Sequence, residues 1–234
     1  MTESTMTNRE TWLRARLELL ESEKALARQA DQVAAQRRAL PRVRIDTHYV
    51  FQSEDGARTL SELFGPYSQL IVMHFMFSPE AESGCPICSF WADGYNPMIA
   101  HMNQRDTQFV VVSRAPIERL LAYRQRMGWT FNWVSTDGNR FNYDFDVSAT
   151  DEEMASGETT YNYRTIQPYA QDLHGTSVFC KDDDVVYHTY STYARGVERM
   201  NAAYGFLDLL PNGRNESGLP FSMAWVRRHD EYEI

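Results

Sequence analysis

Ser83-Gly84-Cys85-Pro86-Ile87-Cys88-Ser89 decides how the rest of this chain is read. It follows on an apolar run, Leu70-Ile71-Val72-Met73-His74-Phe75-Met76-Phe77, and precedes a segment of helical character. Two of the chain's three cysteines stand in this one C-x-x-C. A C-x-x-C at a strand-to-helix junction is the sequence form of a redox-active dithiol.

Working outward, Leu70 to Phe77 is continuous enough for a central strand buried on both faces. Phe90 to Gln104 continues as the helix after the dithiol, with a break expected around Gly94 to Pro97. Phe109-Val110-Val111-Val112-Ser113 reads as a parallel strand. Pro116 then opens a helix carrying Ile117, Leu120, Leu121 and Tyr123, which Gly128 ends. Trp129 to Val134 is extended again. Ser177 to Cys180 and Val185 to Tyr190 flank Lys181-Asp182-Asp183-Asp184 as a β-hairpin with a charged turn. Gly196 to Leu210 is expected to be a closing helix. Upstream, Val43 to Phe51 alternates as one strand, Glu54-Asp55-Gly56-Ala57 signals a hairpin turn, and Thr59 to Phe64 is a short helical turn. The stretch from Phe141 to about residue 170 interleaves acids with aromatics and has no period. It is read as an irregular surface excursion, a long ordered loop before a lid or a subunit contact.

The N-terminal residues carry a long helical pattern from Thr7 to about Ala39. Thr7 and Glu10 have capping-box spacing, Leu13, Leu17 and Leu20 recur on one face, and Pro41 stops the run. Some thirty residues span roughly 45 Å. Two readings stand: a homodimerisation arm, or a helix lying along its own acidic body. The expected organisation is a helical arm over residues 1–41 and one domain over 42–234. Arg37, Arg38, Arg42 and Arg44 read as a solvated cluster with surface ion pairs in preference to a phosphate site.

Composition narrows the function classes. The 234 residues (27.1 kDa) are 43% hydrophobic and 13% aromatic, enough for a substantial core. The formal charge is −9, against nonspecific nucleic-acid binding by the body. It is unevenly spread: nine basic and five acidic residues between Asn8 and Arg44 give +4, and the remainder from Ile45 carries −12. Three cysteines make no disulfide framework, Met1 to Leu20 has no signal-peptide core, and no window approaches a membrane span. The expectation is a soluble cytoplasmic protein with no cofactor, no metal, no nucleic-acid partner and no membrane partner.

The order strand, dithiol, helix, strand, helix, hairpin, helix resembles the thioredoxin fold with a peroxiredoxin-type elaboration. Four stretches carry a closer resemblance: Gly84-Cys85-Pro86-Ile87-Cys88-Ser89-Phe90-Trp91-Ala92-Asp93-Gly94, Val111-Val112-Ser113-Arg114-Ala115-Pro116, Met127-Gly128-Trp129-Thr130-Phe131 and Tyr190-Ser191-Thr192-Tyr193-Ala194-Arg195-Gly196. On these the chain is similar to a bacterial family of thioredoxin-like proteins, domain of unknown function eight-nine-nine, whose predicted activity is dithiol–disulfide oxidoreduction. The resemblance implies an α/β fold, a thioredoxin-like three-layer α/β/α sandwich with an N-terminal β-hairpin and a long N-terminal helix. It implies Cys85 as attacking and Cys88 as resolving thiol, with a disulfide or thiol substrate and an electron-donating thiol system as partners.

On that fold Cys85 stands at a helix N-terminus, where free N–H groups and the helix dipole favour its thiolate. Pro86 needs no donor in the first turn, and Ile87 adds no charge, so a moderate pKa depression is expected. Two departures from thioredoxins stand out. Gly84 replaces their tryptophan, and His174-Gly175-Thr176 replaces the cis-proline stretch, leaving a backbone edge at Thr176 to pair with a substrate peptide. His74 is read first as a hydrogen-bonded core residue and second as a base for Cys88. Arg114 is read as a residue near the site or an ordinary ion-pair partner, and Cys180 as a small buried hydrophobe.

Two other functions compete. Peroxidase chemistry wants Pro-x-x-x-Thr/Ser-x-x-Cys; Pro79 and Ser83 fit, but Pro86 stands where the cysteine belongs. A noncatalytic metal-binding or interaction module would use Cys85 and Cys88 with His174 or Cys180.

Overall fold

The computed structural model describes residues 6–233; residues 1–5, the head of the expected arm, and residue 234 lie outside the described residues. The chain separates into two compact units, Met1–Pro41 and Arg42–Ile234. The first is one helix, α1 (Arg9–Arg38). Its N-cap is Asn8, one residue beyond the expected Thr7: the Asn8 carboxamide oxygen accepts from the Thr11 N–H at 2.8 Å, which satisfies one of the free first-turn donors. Arg16–Glu23 and Lys24–Glu21 ion pairs lie along its surface.

The second unit is built on an eight-stranded sheet. Its strands are β1 (Val43–Arg44), β2 (Val50–Ser53), β3 (Gly56–Thr59), β4 (Gln69–His74), β5 (Thr107–Ser113), β6 (Asn132–Ser135), β9 (Gly175–Asp182) and β10 (Val185–Tyr193). A separate two-stranded ribbon holds β7 (Thr159–Tyr161) and β8 (Arg164–Ile166). The helices are α2 (Pro86–Ala92), α3 (Asn96–Asn103), α4 (Ile117–Arg126), α5 (Phe141–Asp144), α6 (Asp151–Ser156) and α7 (Ala202–Leu207). The strand order is β1-β10-β9-β4-β5-β6-β2-β3. β4, β5 and β6 run parallel, and β9 lies antiparallel on the other side of β4 with β10 beyond it. Four adjacent strands, β10-β9-β4-β5, reached through β-α-β and then a β-hairpin and a helix, form the thioredoxin fold.

The sheet curls. Five residues, 45–49, join β1 at one edge to β2 near the other. A flat sheet would set those strands about 29 Å apart, whereas the chain between Arg44 and Val50 reaches only about 21 Å. This is why Val43 to Phe51 is not the single strand its alternation suggested: it starts on β10 and finishes on β6.

Strand alternation divides the core in two. Met73, Phe75, Phe109, Val111 and Trp133 face the side covered by α2 and α4. Leu70, Val72, Val110, Val112 and Val134 face Phe51, Phe64, Phe141 and Phe145 on the other. Residues 141–170 are therefore not an irregular surface excursion. They form α5, α6 and the β7–β8 ribbon, and Phe141, Phe145, Val147 and Tyr161 are buried. Two of their aromatics, Phe141 and Phe145, cover the second core, and Tyr161 packs with Val147, Leu173 and Tyr193 in a third cluster. The expected closing helix from Gly196 is also divided: a 3-10 stretch, Ala194–Met200, ends at Asn201, whose side chain caps α7 by accepting from the Tyr204 N–H. No helix among the described residues is long and apolar enough to cross a membrane.

Candidate active site

Cys85 is the N-cap of α2 and Pro86 its first helical residue. The Cys85 N–H donates to Met76 O, anchoring the turn to the end of β4, and Ser89 N–H returns to Cys85 O at 3.0 Å. The residue before Cys85 is glycine for a steric reason. A Cβ at Gly84 would stand 2.7 Å from Phe75 Cε1 and 2.8 Å from Tyr123 Cε1, inside any ordinary contact. The space a tryptophan would fill is taken by the Phe75 and Tyr123 rings.

The three cysteines are free thiols. Cys85 is partly exposed and Cys88, one turn inside, is buried. A hydrogen bond from Cys88 is the largest influence on Cys85. Burial opposes it, and the Cys88 and Ile87 N–H groups and the Arg228 charge reinforce it, bringing Cys85 down to about 7. Cys88 moves the other way: the thiolate it serves, its burial and the Cys85 charge push it well above the ordinary thiol range, with Asp172 adding to the rise. The Cys85 sulfur thus favours its thiolate near neutral pH and the Cys88 sulfur its thiol.

Sequence reading missed the frame around this turn. Arg228 donates from Nε and Nη2 to the Gly84 carbonyl, at 3.1 and 2.7 Å, and from Nε to the Tyr123 hydroxyl at 3.0 Å. Tyr123 shares a 2.9 Å hydrogen bond with Ser89 Oγ, which donates to Cys85 O at 2.9 Å. The C-terminal tail is fixed in place by Arg126 on Asp230 and by His229 on Asp93. Nothing in a Gly- and Pro-punctuated tail marks Arg228; Ser89, four residues after Cys85, was legible as a helical neighbour.

His74 is brought near a different partner from the one considered. It is fully buried, stacked on Phe141 and Phe145, with Nε2 at 2.9 Å from Ser177 Oγ. Those rings belong to the second core, whereas Cys88 belongs to the first. Adjacent strand residues point to opposite faces, so His74 is across the sheet from the dithiol and does not serve Cys88. Its other reading, a hydrogen-bonded core histidine, describes it. Hydroxyls continue the chain from Ser177 through Ser191 to His188.

Thr176 is buried with its hydroxyl on Met73 Sδ, and it lies in β9 between Met73 of β4 and Thr192 of β10, so no free strand edge is left at this residue. At Gly175 a Cβ would meet the Tyr193 ring at 2.5 Å and Val147 at 3.2 Å. The Tyr161 hydroxyl donates to His174 O at 2.8 Å and accepts from Ala194 N–H at 2.9 Å. No cis peptide occurs among the described residues. Arg114 forms a buried ion pair, Nε to Asp172 Oδ1 at 2.6 Å, supported by Ser148 on the carboxylate and Tyr143 on the guanidinium. Cys180 is half-buried, not buried, and pairs with Gln69 at the start of β4, whereas Gly175 pairs with His74 at its end. That separates Cys180 from the dithiol by about 16 Å of strand. Among the described residues no cluster of three His, Cys, Asp or Glu side chains could share a metal ion.

Beside the dithiol lies a pocket of about 170 Å³ with Met73, Ile87, Cys88, Trp91, Val197 and Met223 in its walls. His174 also reaches it, and Arg195 and Glu198 supply its charge.

A thioredoxin fold carrying a dithiol at the first turn of its helix defines the class of this protein. The chain belongs to the family described as bacterial protein of unknown function, DUF899, whose model matches residues 1–232. No curated protein matches the chain. Among solved structures it is similar to the Xanthomonas campestris bacterioferritin comigratory protein, studied for alkyl peroxide reduction (14% identity, TM-score 0.46, 68% of this chain and 90% of that one). It is similar also to the peroxidoxin BcpB of Mycobacterium tuberculosis (13%, 0.45, 70% and 94%). A proposed protein disulfide isomerase of Bacteroides thetaiotaomicron gives 16%, 0.40, 76% and 97%. At these scores the fold rests on the strand order given above.

Proposed function

We propose that this protein is a thiol–disulfide oxidoreductase in which Cys85 attacks a substrate disulfide and Cys88 resolves the mixed disulfide. The observation that carries this reading is the placement of the two sulfurs, Cys85 partly exposed at the N-cap of α2 and Cys88 buried one turn inside, and the opposed directions of their pKa values agree with it. Pro86 sets the first turn, and the Arg228–Gly84 contact holds the backbone from which Cys85 projects. Arg114 and Thr176 act through packing. An external dithiol system returns the protein to its reduced form. The test is single-turnover oxidation of the reduced protein by bis(2-hydroxyethyl) disulfide, followed as loss of two thiols by mass. Cys85→Ser abolishes it under this reading, and an unchanged rate refutes it. A parallel hydrogen peroxide reaction separates peroxidase chemistry, which this reading expects to be the slower.

The arm over residues 1–41 and the domain over 42–234 are read as separate units. Leu13 and Leu17 of α1 are half-exposed, and they are the residues through which two copies of the arm would pair.

A further inference from the structure

We propose that the dithiol acts on small disulfides bearing a compact apolar arm, seated in the pocket beside Cys88, and not on disulfides of folded proteins. The proposal rests on the thiol–disulfide reading above and narrows its substrate.

The first support is the covered edge. A protein substrate needs backbone to pair with next to the dithiol, and extended peptides find it on an open strand. Here the stretch that would offer it is sealed by this chain itself. Tyr161, from the β7–β8 ribbon, occupies the His174 carbonyl and the Ala194 N–H together. Tyr193 and Val147 cover Gly175 so closely that no side chain fits there.

Second, the pocket is of a size to seat one compact arm. Apolar cavities of about 150 Å³ accept a benzene ring, whereas drug-sized ligands need roughly 300 Å³ or more. At about 170 Å³ the pocket takes one aryl ring or a short branched alkyl group. Met73, Ile87, Trp91, Val197 and Met223 give it apolar walls, and Cys88 is among the residues that line it.

A third support is local strain. Ala194 and Met223 both line this pocket, and both are non-glycine residues in the left-handed region, at φ 48° and 71°. Such conformations persist where surrounding structure imposes them and cluster at binding and catalytic sites. Six further non-glycine residues with positive φ lie elsewhere among the described residues; these two are set apart by lining one pocket.

The chemistry balances with two electrons from the protein. The Cys85 thiolate attacks one sulfur of the disulfide RSSR, forming Cys85–S–S–R and releasing RS⁻, which takes a proton from water. Cys88 then loses its proton and attacks the Cys85 sulfur, closing the Cys85–Cys88 disulfide and releasing the second RSH. Because Cys88 lines the pocket, an arm carried on Cys85 has apolar space beside the sulfur that will displace it.

The experiment oxidises the reduced full-length protein with 2,2′-dithiodipyridine, with cystamine and with insulin. Each rate is divided by the rate of the same disulfide with free dithiothreitol. The expected result is a dithiodipyridine preference over cystamine of about tenfold or more, the discrimination a fitted apolar pocket provides, with insulin slower still. Val197→Trp fills the pocket, and the preference then falls to that of free dithiothreitol. Should that variant not fold, Met223→Gly enlarges the pocket and must raise the relative rate with di-2-naphthyl disulfide. Equal normalised rates for all three substrates, or a preference untouched by the pocket variants, overturn this proposal and leave the oxidoreductase reading standing. Failure of every disulfide to oxidise the wild-type dithiol overturns that reading itself, and this one with it.

Discussion

Arg228 holds the carbonyl of Gly84, the residue before Cys85, with two of its nitrogens at 3.1 and 2.7 Å. The two residues are 144 positions apart, so the far end of the chain fixes the backbone of the dithiol turn. The same guanidinium places a positive charge that favours the Cys85 thiolate.

The low Cys85 pKa comes first from the Cys88 hydrogen bond, and the Arg228 charge is a smaller aid to it. Cys85 is nucleophilic only as the thiolate, so its alkylation by iodoacetamide rises through about pH 7 and levels off above it. Arg228→Gln removes the charge and the fork, and the midpoint moves up toward an ordinary thiol. At pH 7 the alkylation rate then falls, by less than loss of the larger Cys88 hydrogen bond would bring. A midpoint unmoved by the substitution separates the tail from the reactivity of Cys85.

His74 is a stability residue with its own pH signature. Burial holds its pKa down at about 3, so between there and about 6.5 the unfolded chain binds a proton that the native one refuses. Stability therefore falls as pH drops through that interval, by at most about 1.4 kcal/mol per unit. His74→Gln should flatten this slope in urea titrations and cost about 1–3 kcal/mol at pH 7 through the disturbed Ser177 bond. The pH profile of Cys85 alkylation should be unmoved, which a proton relay from His74 to Cys88 would contradict.

The Arg114–Asp172 pair is buried on both sides. Asp172→Asn leaves the guanidinium uncompensated and should cost about 3–5 kcal/mol by chemical denaturation. Replacing both partners at once, by Arg114→Met with Asp172→Leu, should recover much of that loss. A single variant as stable as the wild type would show that the charge is solvated.

How much of this was legible in the sequence depended on how local the determinants were. The apolar run at Leu70 to Phe77, the C-x-x-C, the strand at Phe109 to Ser113 and the hairpin across Asp183 each carry their signal in a few consecutive residues. The parity of His74 was also present, since it shares its face with Leu70 and Val72 and opposes Met73 and Phe75. Only the position of α2 on one face gave that parity meaning. The split of Val43 to Phe51 depends on sheet curl, a property of eight strands together. Residues 141–170 were misread because short helices capped by single side chains, such as Thr150 on Glu153 N–H, show no period. Arg228 has no local signal at all, because its partners are Gly84 and Tyr123.

The site at which a substrate sulfur attaches distinguishes Cys85 from the other two thiols most directly. In a Cys88→Ser variant the resolving step is blocked, so exposure to one equivalent of 2,2′-dithiodipyridine should trap a mixed disulfide. Peptide mass mapping is predicted to find it on Cys85, with Cys180 unmodified and the adduct stable until an external thiol is added. An adduct on Cys180, or none on Cys85, would contradict the assignment of Cys85 as the attacking thiol.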